Sequence, residues 1–129
     1  MKLIIAGSRN YEESGEYSSV IFNGLIAGIV QYYGVTEIIS GLAKGPDSMG
    51  KAYGIEHGIK VVEFPAEWDL LGKKAGMVRN HQMGDYADIL VAFWDGESKG
   101  TKDMIDYMSK LKKQVIVENY GIEDGFEEW

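Results

Sequence analysis

The chain has 129 residues, which suits one domain with its own core, and 45% of them are apolar, an ordinary value for a folded protein. The absence of cysteine excludes disulfides and thiolate metal sites, and no apolar run approaches the ~20 residues needed to span a bilayer. The formal net charge is −7, but five acids and no base fall within residues 118–129, so the body is near neutral and lacks a general field for a nucleic-acid backbone.

In chain order, the apolar run Leu3–Ala6 predicts a strand buried on both faces, ending in Gly7-Ser8-Arg9-Asn10. That run is shorter than the ~7–15 residues of a secretory core. With the missing cysteines, it fits a cytoplasmic setting. Residues 11–17, polar and glycine-containing, read as a loop. From Ser18, a plausible N-cap, to Tyr33, the spacing of Ile21, Leu25, Ile29 and Tyr32 predicts a helix that stops at Gly34. Gly24 and Gly28 weaken such a helix, and their spacing suggests close approach by a neighbouring strand or helix. A second strand, Glu37–Ser40, runs into Gly41-Leu42-Ala43-Lys44-Gly45, and Pro46 opens a helix ending near His57-Gly58. A third strand, Lys60–Phe64, stops at Pro65. The long connection 66–76 contains Trp68, and long connections tend to be functional or mobile. A helix from about Met77 to Tyr86 precedes the longest apolar strand, Ile89–Trp94. The glycine loop 95–101 then opens a helix with Met104, Ile105, Met108 and Leu111 at helical spacing, with Thr101 as its expected cap. Val115–Val117 forms a fifth strand, and residues 119–129 an acidic tail.

Strict alternation of strands and helices implies crossover connections and a parallel sheet. The expected fold class is therefore α/β: a single Rossmann-like domain over residues 1–118, with a five-stranded, mainly parallel sheet covered by helices on both faces. Ligands of such sheets sit outside the carboxyl ends of the strands, where strand order reverses. The loops 7–10, 40–48 and 95–101 all follow strands and so share that edge.

These loops supply glycines for backbone approach and the charges Arg9, Lys44 and Lys99, a set suited to phosphate or carboxylate. Asp47 and Ser48 either complement a helix dipole or, for the carboxylate, accept ribose hydroxyls. Neither Gly-x-x-x-x-Gly-Lys-Ser/Thr nor Gly-x-Gly-x-x-Gly is present, nor a Gly-x-Ser-x-Gly elbow. His57 and His81 have no partners at zinc spacing, so no metal and no cofactor are expected. Asp95, Glu97 and Asp103 cluster at one loop and are the only candidates for acid or base chemistry, although acids near a helix start commonly cap it.

Four motifs occur in order: Gly7-Ser8-Arg9; Ser40-Gly41-x-Ala43-Lys44-Gly45-x-Asp47-Ser48; Trp68 with Gly72-Lys73-x-Ala75-Gly76-x-x-Arg79-Asn80-x-x-Met83; and Trp94-Asp95-Gly96-x-Ser98-x-Gly100-Thr101. Together they resemble the YspA-like small proteins of the SLOG superfamily, which unites the DNA-uptake protein DprA with the Lonely Guy enzymes. The likeness covers roughly residues 2–117. It implies a Rossmann-like fold binding nucleotides or nucleotide-derived ligands through these motif residues, with Arg79 on the helix before the fourth strand facing the ligand. Gly7, Gly41, Gly45, Gly96 and Gly100 would bring backbone N–H groups to phosphates, helped by the Ser98 and Thr101 hydroxyls. Trp68 would stack on a base or close the site, or else serve the core or an interface.

The Lonely Guy phosphoribohydrolases carry a catalytic glutamate three residues after their Gly-Thr. Here Met104 stands at that position, and Asp103, one residue away, is rotated by about 100° on the helix. The expectation is therefore a protein that senses or sequesters a phosphorylated, nucleotide-derived small molecule. Hydrolysis of an N-glycosidic or phosphate bond is the alternative, and nucleic-acid binding the remoter one. Expected partners include no nucleic acid and no membrane; a homodimer through the Gly24/Gly28 face or the Met-rich last helix stays open.

Overall fold

The structure, a computed structural model, describes residues 1–11 and 18–120. Residues 12–17 of the expected loop 11–17, and the part of the expected tail from residue 121 onward with Phe126 and Trp129, lie outside the described residues. The elements are β1 (Lys2–Gly7), α1 (Ser18–Tyr33), β2 (Glu37–Ser40), α2 (Pro46–Glu56), β3 (Lys60–Glu63), α3 (Trp68–Leu71), α4 (Ala75–Tyr86), β4 (Ile89–Trp94), α5 (Lys99–Lys110) and β5 (Gln114–Asn119). All strand pairs are parallel, in the order β3-β2-β1-β4-β5. This is the expected α/β architecture, a single five-stranded sheet flanked by helices, consistent with a Rossmann-like domain. No helix among the described residues is long and apolar enough to cross a membrane.

The period-2 geometry of the strands divides the core in two. Leu3, Ile5, Ile38, Ile89, Val91 and Phe93 face α1 and α2, where Phe22, Ile26, Ile29 and Tyr53 meet them. Ile4, Ala6, Ile39, Leu90 and Ala92 face α4 and α5, packed on Met83, Met104 and Met108. Every side chain of Leu3–Ile5 and Ile89–Phe93 is solvent-free or nearly so. That burial explains why β1 and β4 read as unbroken apolar runs without alternation.

Four expectations need correction. The inward stripe of α1 is Phe22, Ile26 and Ile29, whereas Ile21 is 51% exposed and Tyr32 82% exposed. The helix carries no charged residue, so periodicity alone left its rotation open by one position. Among the described residues nothing lies within 4 Å of where a Cβ at Gly24 or Gly28 would sit, so none of them makes that close approach; α2 instead uses this device. A Cβ at Gly50 would fall 2.8 Å from Ile5 Cβ, and one at Gly54 would fall 2.6 Å from Val61 Cγ2, so glycine lets α2 lie against the sheet. The connection after β3 is not a plain loop: it holds α3 and a 3₁₀ turn at Gly72–Lys74, and α4 begins at Ala75, two residues before the expected start. Finally, β5 extends to Asn119, and the Tyr120 ring packs edge-on against Tyr11 at 4.9 Å. The strand thus runs two residues past its expected end at Val117.

Candidate functional site

From β1 the chain moves outward to β2 and β3, then returns to place β4 on the other side of β1. Order reverses between β1 and β4, and their carboxyl ends leave a crevice there. An open cleft of about 370 Å³ occupies it, extending from Gly7 of β1 to the first turns of α4 and α5. A second recess of about 260 Å³ adjoins it beside the β2–α2 loop. Arg9, Ala43, Trp68 and Arg79 line both.

The loops are braced before any ligand is considered. Asp95 Oδ1 accepts the amides of Glu97 and Ser98 at 2.9 and 2.8 Å, and Trp94 Nε1 donates to the Ser98 carbonyl at 3.0 Å. Burial opposes ionisation of Asp95, but these amides and the Ser8 hydroxyl outweigh it and hold its carboxyl below the usual range. The helix cap is Ser98, not Thr101: the Ser98 hydroxyl accepts the Thr101 amide at 3.4 Å and lies 3.1 Å from the Thr101 hydroxyl. Ser8 is buried and ties the two central strands together, its amide donating to the Phe93 carbonyl at 2.9 Å and its hydroxyl accepting the Asp95 amide at 3.2 Å. In the other loop, Ser40 donates to the Asp47 carbonyl at 2.9 Å and accepts the Leu42 amide at 3.1 Å, while Ser48 donates to the Ala43 carbonyl at 2.8 Å.

On this frame sit the groups that face the cleft. Arg79 is half-buried; its Nη1 donates to the Gly41 carbonyl and its Nε to Asn80 Oδ1 at 3.1 Å. Two of its five N–H donors are thereby anchored, fixing the plane of the guanidinium. Burial pulls its pKa down, Asp47 pushes it up, and Arg9 pulls it down again. Asp47 is 4% exposed, and burial raises its carboxyl to about 6 against the opposing pull of Arg79 and of the Ala43 and Gly41 amides. A Cβ at Gly41 would lie 2.6 Å from Arg79 Nη1 and 2.8 Å from Asp47 Oδ2, so glycine is required where these two groups converge. Asn80 Nδ2 donates to the Gly100 carbonyl at 3.1 Å and to Asp103 Oδ2 at 3.2 Å, and Asp103 Oδ1 faces His81 Nε2 at 3.2 Å. The His81 ring stacks on Tyr107 at 3.9 Å.

The cleft therefore brings together Gly7, Arg9, Ala43, Asp47, Trp68, Arg79, Asn80, Ser98, Lys99, Gly100, Thr101 and Asp103 from the expected set. Gly41 and Lys44 line only the second recess. Ser8, Ser40, Gly45, Ser48, Asp95, Gly96 and Glu97 line neither. Gly45, at φ +90°, lies beneath the β1 loop, 2.9 Å from the Ser8 carbonyl if given a Cβ. Glu97 is exposed, leaving Asp103 as the one acid of the 95–103 group that reaches the cleft. Lys73, Gly76, Met77 and Met104 line it as well. Lys73 and Gly76 stand within the third motif. Their position beside the first turn of α4 was hidden by reading 66–76 as a loop.

Around the two recesses stand Arg9, Lys44, Lys73, Arg79 and Lys99, against the carboxylates Asp47 and Asp103. The first turns of α4 and α5 add the positive ends of two helix dipoles. Among the described residues no group of three His, Asp or Glu side chains could hold a metal ion. No protein-family model matches the chain, and neither curated proteins nor solved structures yield a match.

Proposed function

We propose that the protein binds a phosphorylated, nucleotide-derived small molecule in the cleft between β1 and β4. The observation that carries this reading is the sign of the site: five cations line the two recesses on a chain whose net charge is −7. A cleft of this size suits a nucleoside monophosphate. The N-terminus of α5, with Lys99 and Thr101, offers amides and charge to a phosphate. Asp47 and Asp103 offer acceptors for ribose hydroxyls or a base edge, with Asn80 holding the Asp103 carboxylate in place. Trp68, 52% exposed beside both recesses, offers a face for stacking. The resemblance to the YspA-like SLOG proteins points to the same ligand class.

The test begins with mass spectrometry of small molecules released from the purified protein, followed by calorimetric titration with nucleoside monophosphates. Arg79→Ala is expected to weaken binding at least ~10-fold, the loss of a charged hydrogen-bond donor. Unchanged affinity for every bound nucleotide would remove α4 from the site.

One observation favours turnover over holding: Asp103 reaches the cleft with its carboxylate oriented by Asn80 and His81. Release of free base by the wild-type protein, lost in Asp103→Asn, would establish an N-glycosidic hydrolase instead. The core methionine Met104 beside it can neither activate water nor stabilise a ribosyl cation.

A further inference from the structure

The two recesses differ in charge. The main cleft sets Arg9, Lys73, Arg79 and Lys99 against two carboxylates, Asp47 and Asp103. The second recess has Arg9, Lys44 and Arg79 and, among the described residues, no carboxylate in its lining. The charge of Arg9 disfavours that of Arg79, while the Asp47 carboxylate on the main-cleft side favours it. Arg79 stands on the shared wall, anchored through Nη1 to the Gly41 carbonyl on one side and through Nε to Asn80 on the other. Its remaining donors can serve either compartment. The Lys44 side chain is exposed and belongs to the second recess alone, whereas Lys99 belongs to the main cleft alone.

Resting on the nucleotide reading above, we propose that the ligand carries phosphoryl groups at two separate positions. One is seated by Lys99 at the first turn of α5, and the other by Lys44 and Arg9 in the second recess. Arg79 spans the two seats, and the sugar lies across the acid-lined floor, where Asp47 and Asp103 accept hydroxyls. Two phosphates on one carbon would crowd a single seat and leave the other unfilled.

Titration with adenosine 5′-monophosphate, adenosine 5′-diphosphate and adenosine 3′,5′-bisphosphate, repeated with the other three bases, tests this directly. The bisphosphate is expected to bind at least ~10-fold more tightly than either ligand phosphorylated on one carbon. In Lys44→Ala the ratio of bisphosphate to monophosphate affinity should fall towards one, and Lys44→Arg should restore it. A bisphosphate no tighter than the diphosphate, or a Lys44→Ala that weakens both ligands by the same factor, overturns the two-seat arrangement while leaving nucleotide binding intact. Failure of all these ligands to bind overturns the nucleotide reading and the two seats with it. Circular dichroism of the variants confirms the fold, since Lys44 is exposed and makes no ion pair within the described residues.

Discussion

Asp47 is the least comfortable residue of the site. Its carboxyl is buried and raised to about 6, so the folded protein binds a proton there more tightly than the unfolded chain, whose value is near 3.8. Between about pH 4 and pH 6 the native state therefore holds the extra proton. Stability from this group falls as pH rises through that window and is level above it. The penalty near neutrality is on the order of 3 kcal/mol. Urea unfolding of Asp47→Asn should show the variant gaining on the wild type by an amount of this order between pH 4 and pH 7. A constant difference across that range would show that Asp47 is not charged in a dry setting. Leu42, in the loop that leads into the helix carrying Asp47, has φ +65°, a left-handed conformation that a branched side chain adopts at a cost of roughly 1–2 kcal/mol. A buried charge and a twisted backbone side by side mark the β2–α2 loop as shaped by something other than stability.

Elements repeat the contrast between residues placed for packing and residues placed for the cleft. Gly50 and Gly54 on α2 are demanded by Ile5 and Val61, so Gly50→Ala should destabilise by roughly 1–3 kcal/mol. Gly24→Ala and Gly28→Ala on α1, where the space is open among the described residues, should stabilise by about 0.5–1 kcal/mol. Denaturant midpoints of the three variants decide the matter: a stabilised Gly50→Ala would mean that α2 stands farther from the sheet. The two pairs of glycines have the same i, i+4 spacing, and only the fold distinguishes them. The same limit explains which elements were legible. β1, β4 and the amphipathic α5 announced themselves because their burial pattern is one-sided or complete. The rotation of α1 did not, because a helix without charges offers no polar side to orient it. The strand-end loops could be placed on one edge from alternation alone. The link from Asn80 and His81 to Asp103 could not, because it depends on the lateral pairing of α4 with α5, which no local spacing encodes.

At the scale of the molecule, five of the thirteen basic residues gather at one edge of a chain that has twenty acids. An anionic ligand is thus drawn to this edge and repelled elsewhere, and the attraction is screened by salt. Nucleotide affinity should fall several-fold between low salt and about 0.3 M, and more steeply for a bisphosphate than for a monophosphate. A salt-independent affinity would assign binding to stacking on Trp68 and not to charge.

The seam between β1 and β4, clasped at its carboxyl end by the Ser8 hydroxyl and the Asp95 amide, joins residues 87 apart in the chain. Contacts of such long range carry a loop-closure cost that must be met before they form. A ligand lying across that seam finds no foothold in a half-formed chain. A ligand seated across the seam as proposed should therefore slow escape from the native state while leaving the rate of refolding as it was.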